Sequence, residues 1–236
     1  MITLSTHVFP WEVLGERGRY GLSCFEISLE NKQVSIAATN GKALVVVRVP
    51  DERADIKPFL VPSESLREVI KSVEKGQVLI ETSRATLQPK RGAKREVVWN
   101  EAELGHFPPW RDMNMASKPE RVRIHLDLET LGLAAKTLDQ LPAKIEFTEQ
   151  GLNLTAKRGP LTIRMSLDGR IEESKTPKEA GFNFSLLYDA AVAVCRPVGV
   201  SDCTIVFRDD DEAASVYAGP GERTTTYGLV MPVYLA

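Results

Sequence analysis

Apolar residues recur with helical spacing in three stretches of the chain. In the first, Leu66, Val69, Ile70 and Val73 follow the i, i+3, i+4, i+7 pattern, which places them on one face of a helix. Serine caps and helix-stopping prolines delimit the stretches. The predicted helices run from Ser63 to near Gly76, from Asp127 to Leu141, and from a capping Ser185 to about Val194.

Short segments rich in β-branched and aromatic residues lie between these helices and predict strands joined by hairpins. Turn signals such as Asn40-Gly41 and Asp168-Gly169 separate several of them. The predicted strands are Cys24–Leu29, Gln33–Ala38, Ala43–Val49, Gln77–Thr82, Ala85–Gln88, Arg95–Trp99, Lys144–Thr148, Leu152–Ala156, Leu161–Ser166, Thr204–Arg208, Ala214–Ala218 and Thr225–Val230.

These elements repeat along the chain. The blocks that begin at Ser63 and Ser185, 122 residues apart, each contain a helix and then three strands. A third copy begins at Asp127, and residues 23–49 supply the strands of a fourth, whose helix is too short between Phe9 and Gly15. We therefore predict an α+β fold of two domains, residues 1–118 and 119–236, each made of two helix-plus-antiparallel-strand halves.

The composition is that of a globular protein. The 236 residues are 43% hydrophobic, with 30 basic and 32 acidic side chains, so any contact with nucleic acid must be local. The longest apolar run is too short to span a membrane, and the N-terminus lacks a secretory signal. Cys24, Cys195 and Cys203 have neither zinc-site nor disulfide-framework spacing, which predicts free thiols in a cytoplasmic protein.

Sequence motifs for catalysis are missing. His7, His106 and His125 lie far apart in the sequence, without a metalloprotease or hydrolase signature. The acidic run from Asp209 to Glu212 lacks the glycine and ligand spacing of a calcium loop and is typical of a solvated hairpin tip. No glycine pattern predicts a nucleotide site, so we expect a non-enzyme with no metal and no cofactor.

Four motifs in order resemble the bacterial β sliding clamp, the processivity subunit of DNA polymerase III. They are Thr39-Asn40-Gly41-Lys42-Ala43-Leu44, Phe59-Leu60-Val61-Pro62, Phe107-Pro108-Pro109-Trp110 and the terminal Gly228-Leu229-Val230-Met231-Pro232-Val233-Tyr234-Leu235. The resemblance covers nearly the whole chain, which corresponds to the middle and C-terminal domains of the three that a bacterial clamp carries. It implies the DNA clamp fold and a non-catalytic accessory subunit that works with a DNA polymerase.

The resemblance also implies a groove that accepts a short apolar-ended peptide from polymerases or other proteins with a clamp-binding motif. Lys42 and Asp112 depart from the residues usual at their positions in the family, which predicts a changed peptide preference. The implied groove residues are Leu22, Thr39, Gly41, Lys42, Leu44, Pro108, Met113, Ser215, Leu229, Met231, Pro232, Val233 and Leu235. The alternative for Leu22, Leu44 and Leu229 is an ordinary core position.

Clamp rings attract DNA without sequence preference through basic helices. Here the residues implied to face DNA are Arg67, Lys71, Lys75, Lys136 and Arg196. Acidic residues share the same helices, so DNA binding is expected to be weak. A ring of twelve half-units would require three copies of this chain, with four half-units in each. The family forms its ring from two chains with six half-units in each. The alternative is a clamp-derived binding or regulatory module that does not encircle DNA.

Overall fold

The computed structural model describes residues 1–15, 21–70, 76–87, 94–112, 120, 122–174, 181–208, 212–219 and 226–233. Over these residues the chain forms seventeen strands, three α-helices and five short 3-10 turns. It divides into two compact units, Met1–Gly41 with Val46–Trp110, and Lys42–Val45 with Arg111–Ala236. The predicted boundary at residue 118 lies outside the described residues and stays a prediction.

The first unit contains two antiparallel sheets. One has the order β1-β6-β7-β8, and in the other β4, β3, β2 and β5 are neighbours. The elements are β1 (Ile2–Ser5), β2 (Cys24–Glu30), β3 (Gln33–Thr39), β4 (Ala43–Pro50), β5 (Ile56–Pro62), α1 (Ser63–Ile70), β6 (Gln77–Glu81), β7 (Arg84–Leu87) and β8 (Arg95–Val98). Helix α1 buries Leu66 and Val69, as their spacing predicts, while residues 71–75 of the predicted helix lie outside the described part of the chain.

Two 3-10 turns, Thr6–Val8 and Trp11–Val13, occupy the position at which the repeat predicts a helix. The aromatic rings of Phe9, Trp11 and Phe25 pack together there, with the Trp11 and Phe25 centroids 4.9 Å apart. Phe9 and Phe25 are fully buried. The turns therefore provide apolar cover for this part of the unit although the helix is incomplete, in agreement with the sequence prediction.

The second unit repeats the helix-plus-three-strand block twice. Its sheets have the orders β12-β11-β10-β14 and β13-β9-β15-β16-β17, the last strand lying beside the start of β4. The elements are β9 (Val122–Asp127), α2 (Leu128–Leu138), β10 (Pro142–Thr148), β11 (Gly151–Arg158), β12 (Leu161–Asp168), β13 (Arg170–Ser174), β14 (Gly181–Asn183), α3 (Phe184–Cys195), β15 (Asp202–Phe207), β16 (Ala214–Ala218) and β17 (Tyr227–Val230).

Side-chain caps begin both helices of the second unit. The Asp127 carboxylate accepts a hydrogen bond from the Thr130 backbone N–H at 2.7 Å and begins α2, as predicted. The predicted cap of α3 is wrong, because Ser185 lies inside the helix and Asn183 caps it by accepting from the Ser185 and Leu186 N–H groups. Asn183 comes two residues earlier and is an equally good capping residue.

The α+β fold class and the repeated half-units predicted from the sequence are confirmed. Each of α1, α2 and α3 is followed by three antiparallel strands in the chain. The sequence analysis missed the strands β1, β5, β9, β13 and β14, which extend or border the predicted sheets. The structure therefore has the predicted order of helices and strands, and its sheets contain more strands than predicted.

Candidate functional site

The chain end after β17 forms the candidate docking surface of the second unit. Its backbone is held at two points, since the Met231 N–H donates to the Lys42 carbonyl and the Val233 N–H donates to the Gly181 carbonyl, both at 2.9 Å. Met231 is 47% exposed, whereas Pro232 and Val233 are half-buried. These bonds fix three apolar residues at the surface of the unit.

Three of the residues that the resemblance assigns to the groove are buried in this unit. Ser215 of β16 is paired with Leu229 of β17, and both are buried, as is Leu44. Lys42 is exposed at the rim. The alternative core interpretation therefore fits Leu44 and Leu229, while Lys42 and Met231 are exposed and Pro232 and Val233 are half-buried. We define the docking surface as Lys42, Leu44, Ser215, Leu229, Met231, Pro232 and Val233.

Arg208 contacts Ser215 and is a buried charged residue that the sequence analysis did not single out. It follows β15, is 8% exposed, and donates from Nη1 to the Ser215 hydroxyl at 2.6 Å. The Glu120 carboxylate lies 4.0 Å from Arg208 Nη2 and accepts from Arg123 Nη2 at 2.7 Å. A buried arginine needs charged or hydrogen-bonding partners, and Ser215 and Glu120 are the partners that Arg208 has. No local sequence pattern marks Arg208, because Glu120 lies 88 positions away in the chain.

The first unit contains four further residues that the resemblance assigns to the groove. Thr39 is buried, and its hydroxyl accepts from the Gly41 N–H at 3.0 Å, which stabilises the turn in which Gly41 has a φ of +84°. Leu22 is half-buried, its Cβ 2.7 Å from the position that a Cβ on Gly15 would take. Pro108 is half-buried, and its carbonyl accepts from the Trp110 N–H.

Met113 and Leu235, also assigned to the groove, lie outside the described residues. So do Lys71 and Lys75 of the set implied to face DNA. The assignment of the whole groove stays a prediction.

The described residues of that set differ in their surroundings. Arg67 is exposed on α1, and its guanidinium lies 5.2 Å from the centre of the Trp11 ring, within cation–π distance. Lys136 is exposed in the last turn of α2, and Arg196 is half-buried at the end of α3. Glu64, Glu68, Glu129 and Asp189 lie on the same three helices. The described helical residues thus carry more carboxylates than basic groups.

One polar cluster resembles a hydrolase triad and was not predicted. Within it, His125 Nδ1 lies 2.8 Å from the Thr204 hydroxyl, and His125 Nε2 lies 3.2 Å from the Glu172 carboxylate. The Thr204 hydroxyl donates to the Gly219 carbonyl at 2.5 Å and is 1% exposed, so it cannot attack a substrate. Hydrogen bonding from His125 lowers the pKa of Glu172. These side-chain contacts link the neighbouring strands β9, β13 and β15.

The described part of the chain holds no group of three or more histidine, cysteine or acidic residues arranged to bind a metal. Of the acidic run 209–212, only Glu212 is described. No helix among the described residues is long and apolar enough to cross a membrane.

The architecture defines a clamp-type α+β protein, and comparison with solved structures confirms this. The DNA polymerase III subunit beta of Pseudomonas aeruginosa matches 100% of this chain with a TM-score of 0.77 and 14% identity. The corresponding subunit of Thermotoga maritima matches 100% with a TM-score of 0.76 and 16% identity, and that of Streptococcus pyogenes matches 99% with 0.79 and 18%. The chain therefore has the sliding-clamp fold predicted from its motifs.

The chain covers 67%, 66% and 66% of those three structures, respectively, which is about two thirds of their length. No protein-family model matches the sequence, and no curated protein matches it significantly. The similarity to these structures is therefore one of fold, at low sequence identity.

Proposed function

We propose that this chain is a sliding-clamp-like processivity factor that encircles DNA and docks DNA polymerase or repair proteins. The observation that carries the proposal is the match of the whole chain to the fold of bacterial DNA polymerase III beta subunits. Such a protein acts by topology and binding, so it needs no catalytic residues, metal or cofactor.

The docking surface supports peptide binding. Met231, Pro232 and Val233 present apolar groups that backbone hydrogen bonds hold in place, and Lys42 adds a charged rim. A pre-formed apolar surface with a few polar groups is what a short peptide anchor requires. Because the backbone is already ordered, binding loses little conformational entropy.

Edge strands support assembly from several copies. Among the described residues, β8 ends one sheet of the first unit and β12 ends one sheet of the second. Edge strands expose backbone groups that can pair with another chain. Pairing of β8 of one copy with β12 of the next would be a head-to-tail contact, which forms a ring when the rotation between successive copies closes. Three copies would supply the twelve half-units.

We place the protein in the cytoplasm, where its thiols would stay reduced. Cys24, Cys195 and Cys203 are all free and buried. Burial raises the pKa of the Cys195 thiol to about 12 and also raises that of Cys203, so both remain protonated and unreactive at neutral pH.

Retention on DNA of defined topology tests the proposal. The protein is incubated with a nicked circular plasmid and then passed through a sizing column in high salt, which screens simple electrostatic binding. We expect retention on the circle and loss after a restriction enzyme linearises it, because only a topological link depends on ends. Equal retention on both forms, or one-chain mass by light scattering across the micromolar range, would contradict encirclement.

The mixture of acidic and basic residues on the three helices favours a second function, a partner-binding module that does not encircle DNA. Carboxylates beside the basic groups would weaken the attraction to phosphates. Such a module would bind partner peptides through the docking surface as a single chain and would show no retention on circular DNA.

A further inference from the structure

His125 lies in the middle of a chain of polar groups that crosses strands β15, β9 and β13. On one side, the Thr204 hydroxyl oxygen is 2.8 Å from His125 Nδ1 and 2.5 Å from the Gly219 carbonyl oxygen. On the other side, His125 Nε2 is 3.2 Å from the Glu172 carboxylate. Nε2 is buried, and apart from Glu172 it has no hydrogen-bond partner among the described residues.

The Gly219 carbonyl fixes the position of each proton in this chain. A carbonyl oxygen can only accept, so the Thr204 hydroxyl donates its single proton to Gly219. The Thr204 oxygen then accepts from His125, which places a proton on Nδ1. A neutral imidazole has one N–H group, so Nε2 of the neutral ring is an acceptor. Nε2 can therefore donate to Glu172 only when the ring carries two protons.

A β-bulge supplies the carboxylate that faces Nε2. The register between β13 and β9 shifts between Ile171 and Glu173, so Glu172 is the extra residue of the bulged strand. Hydrogen bonding from His125 lowers the pKa of Glu172, which is therefore ionised from pH 5 to pH 8. An ionised carboxylate attracts a protonated Nε2 and is repelled by the lone pair of an unprotonated one.

Other charged groups lie near the ring on β13 and β9. Arg170 is paired with His125 in the register, and its guanidinium is 80% exposed and 3.5 Å from the same Glu172 carboxylate. Arg123 and Asp127 lie two positions before and two positions after His125, on the same face of β9. The two arginines oppose a second proton on the ring, whereas Asp127 favours it.

The remaining neighbours of β9 add few charges. On β15, Asp202 lies two positions before Thr204, and Tyr217 of β16 is paired with Thr204. Helix α2, which also contacts β9, carries Glu129 and Lys136, both exposed. Of all these described groups, the carboxylate on the bulge is the one that forms an ion pair with the ring.

We infer that the contact between His125 and Glu172 is a proton-dependent latch that holds β13 to β9. Strand β13 lies at the edge of its sheet, where β9 is its neighbour. Histidine ordinarily gains and loses a proton between pH 5 and pH 8. The stability that the latch adds to β13 is present on the acidic side of this range and is lost as the pH rises through it. Above it, β13 separates from β9 more often.

Nitrogen NMR of the native chain tests the proton positions. Correlations between the ring nitrogens of His125 and its carbon-bound ring protons show which nitrogen carries a proton. In a titration from pH 5 to pH 9, we expect the Nδ1 resonance to stay at the protonated position and the Nε2 resonance to move to the unprotonated one. A neutral ring with its proton on Nε2 would overturn the inference.

Hydrogen exchange of the full chain, followed by mass spectrometry, measures the latch itself. Protection of the β13 amides, corrected for the intrinsic exchange rate at each pH, should be about fivefold lower at pH 8 than at pH 6. Protection of β11 in the same unit should not change. In Glu172→Gln the β13 difference should disappear, because an amide can donate to the neutral ring and accept from the protonated one. His106→Gln is the matched control, since His106 is exposed in the first unit, and it should keep the difference.

Equal protection of β13 at pH 6 and pH 8 in the native chain would overturn the latch. A fivefold difference that persists in Glu172→Gln would also overturn it, because the pH effect would then arise from another group. An equal loss of protection in β11 would show that the whole unit, rather than β13, responds to pH. None of these measurements depends on DNA or peptide binding, so the latch and the proposed function are tested separately.

Discussion

Single side chains decide where the helices of the second unit begin. Asp127 satisfies backbone and side-chain donors of Thr130 at the start of α2, and Asn183 does the same for two backbone N–H groups of α3. Asp127 was predicted because its helix pattern starts directly after it. Asn183 was missed because Ser185, a residue of the same capping class, lies two positions later.

Replacing Asp127 by alanine should destabilise the protein by about 0.5–2 kcal/mol, because the Thr130 N–H would lose its cap. The free energy of unfolding, measured by urea denaturation at pH 7, checks this. Glu129→Ala is the control, since Glu129 is exposed in the same first turn. A change as large in the control would show that first-turn charge, rather than capping, is responsible.

The same cap should make stability depend on pH. Hydrogen bonds from Thr130 lower the pKa of Asp127. The stability that this ionised group adds is complete above its unfolded pKa of about 3.9 and is lost as the pH falls through the lower folded value. Asp127→Asn keeps a capping oxygen and should lose less stability than the wild type between pH 5 and pH 2.

Only those parts of the candidate site that lie in short sequence motifs could be predicted from the sequence. The turn at Thr39 and Gly41 and the terminal Met231-Pro232 stand out in the sequence. Arg208 did not, because its significance depends on Ser215 and Glu120, which are 7 and 88 positions away in the chain. Long-range partners of this kind are not encoded in any local pattern.

At the scale of elements, the missed strands have physical causes. Strand β5 contains Pro58 and Pro62, which argue against a central strand, but it lies at the edge of its sheet, where a missing N–H is tolerated. Strand β13 is rich in charge, and its pairing with β9 is interrupted by a register shift between Ile171 and Glu173. Strands β1 and β14, with four and three residues, are too short to show alternation.

The hairpin between β10 and β11 depends on a glycine. Gly151 has a φ of +146°, and a Cβ there would lie 1.9 Å from the Leu167 carbonyl oxygen of β12. Gly151→Ala should therefore destabilise the protein by about 3 kcal/mol, since both the backbone conformation and the strand spacing must change. The change in the urea midpoint, at constant slope, measures this.

Gly159→Ala is the matched control for the hairpin prediction. Gly159 also has a positive φ, +59°, but nothing lies within 4 Å of the Cβ position. Its alanine variant should lose only about 1–2 kcal/mol, the cost of a left-handed alanine. Equal losses in the two variants would mean that backbone conformation alone, without the close approach to Leu167, explains the effect at Gly151.

At the scale of the whole molecule, the repeat made the fold predictable. Three of the four half-units bury a helix face together with strand residues, so the same hydrophobic pattern recurs. Assembly is different, because it depends on which edges another copy can reach, and a single chain contains no signal for that beyond exposed edge residues. Leu161, 65% exposed at the start of β12, is one such residue.

Replacing Leu161 by lysine should weaken ring formation if β12 is the contact edge. A charge on an edge strand opposes pairing with another chain, because the ammonium would lose water on burial. We expect the native chain to reach the mass of three copies by light scattering in the micromolar range. The lysine variant should need about tenfold higher concentration, which corresponds to about 1.4 kcal/mol of association free energy.

Leu133→Lys separates an edge effect from a general effect of charge. Leu133 is 60% exposed, like Leu161, but lies on helix α2 and not on an edge strand. Its variant should assemble as the native chain does. If both variants assemble normally, β12 is not the contact edge and the ring must close through another surface. If both dissociate, added charge disfavours association wherever it is placed, and the edge-pairing argument loses its support.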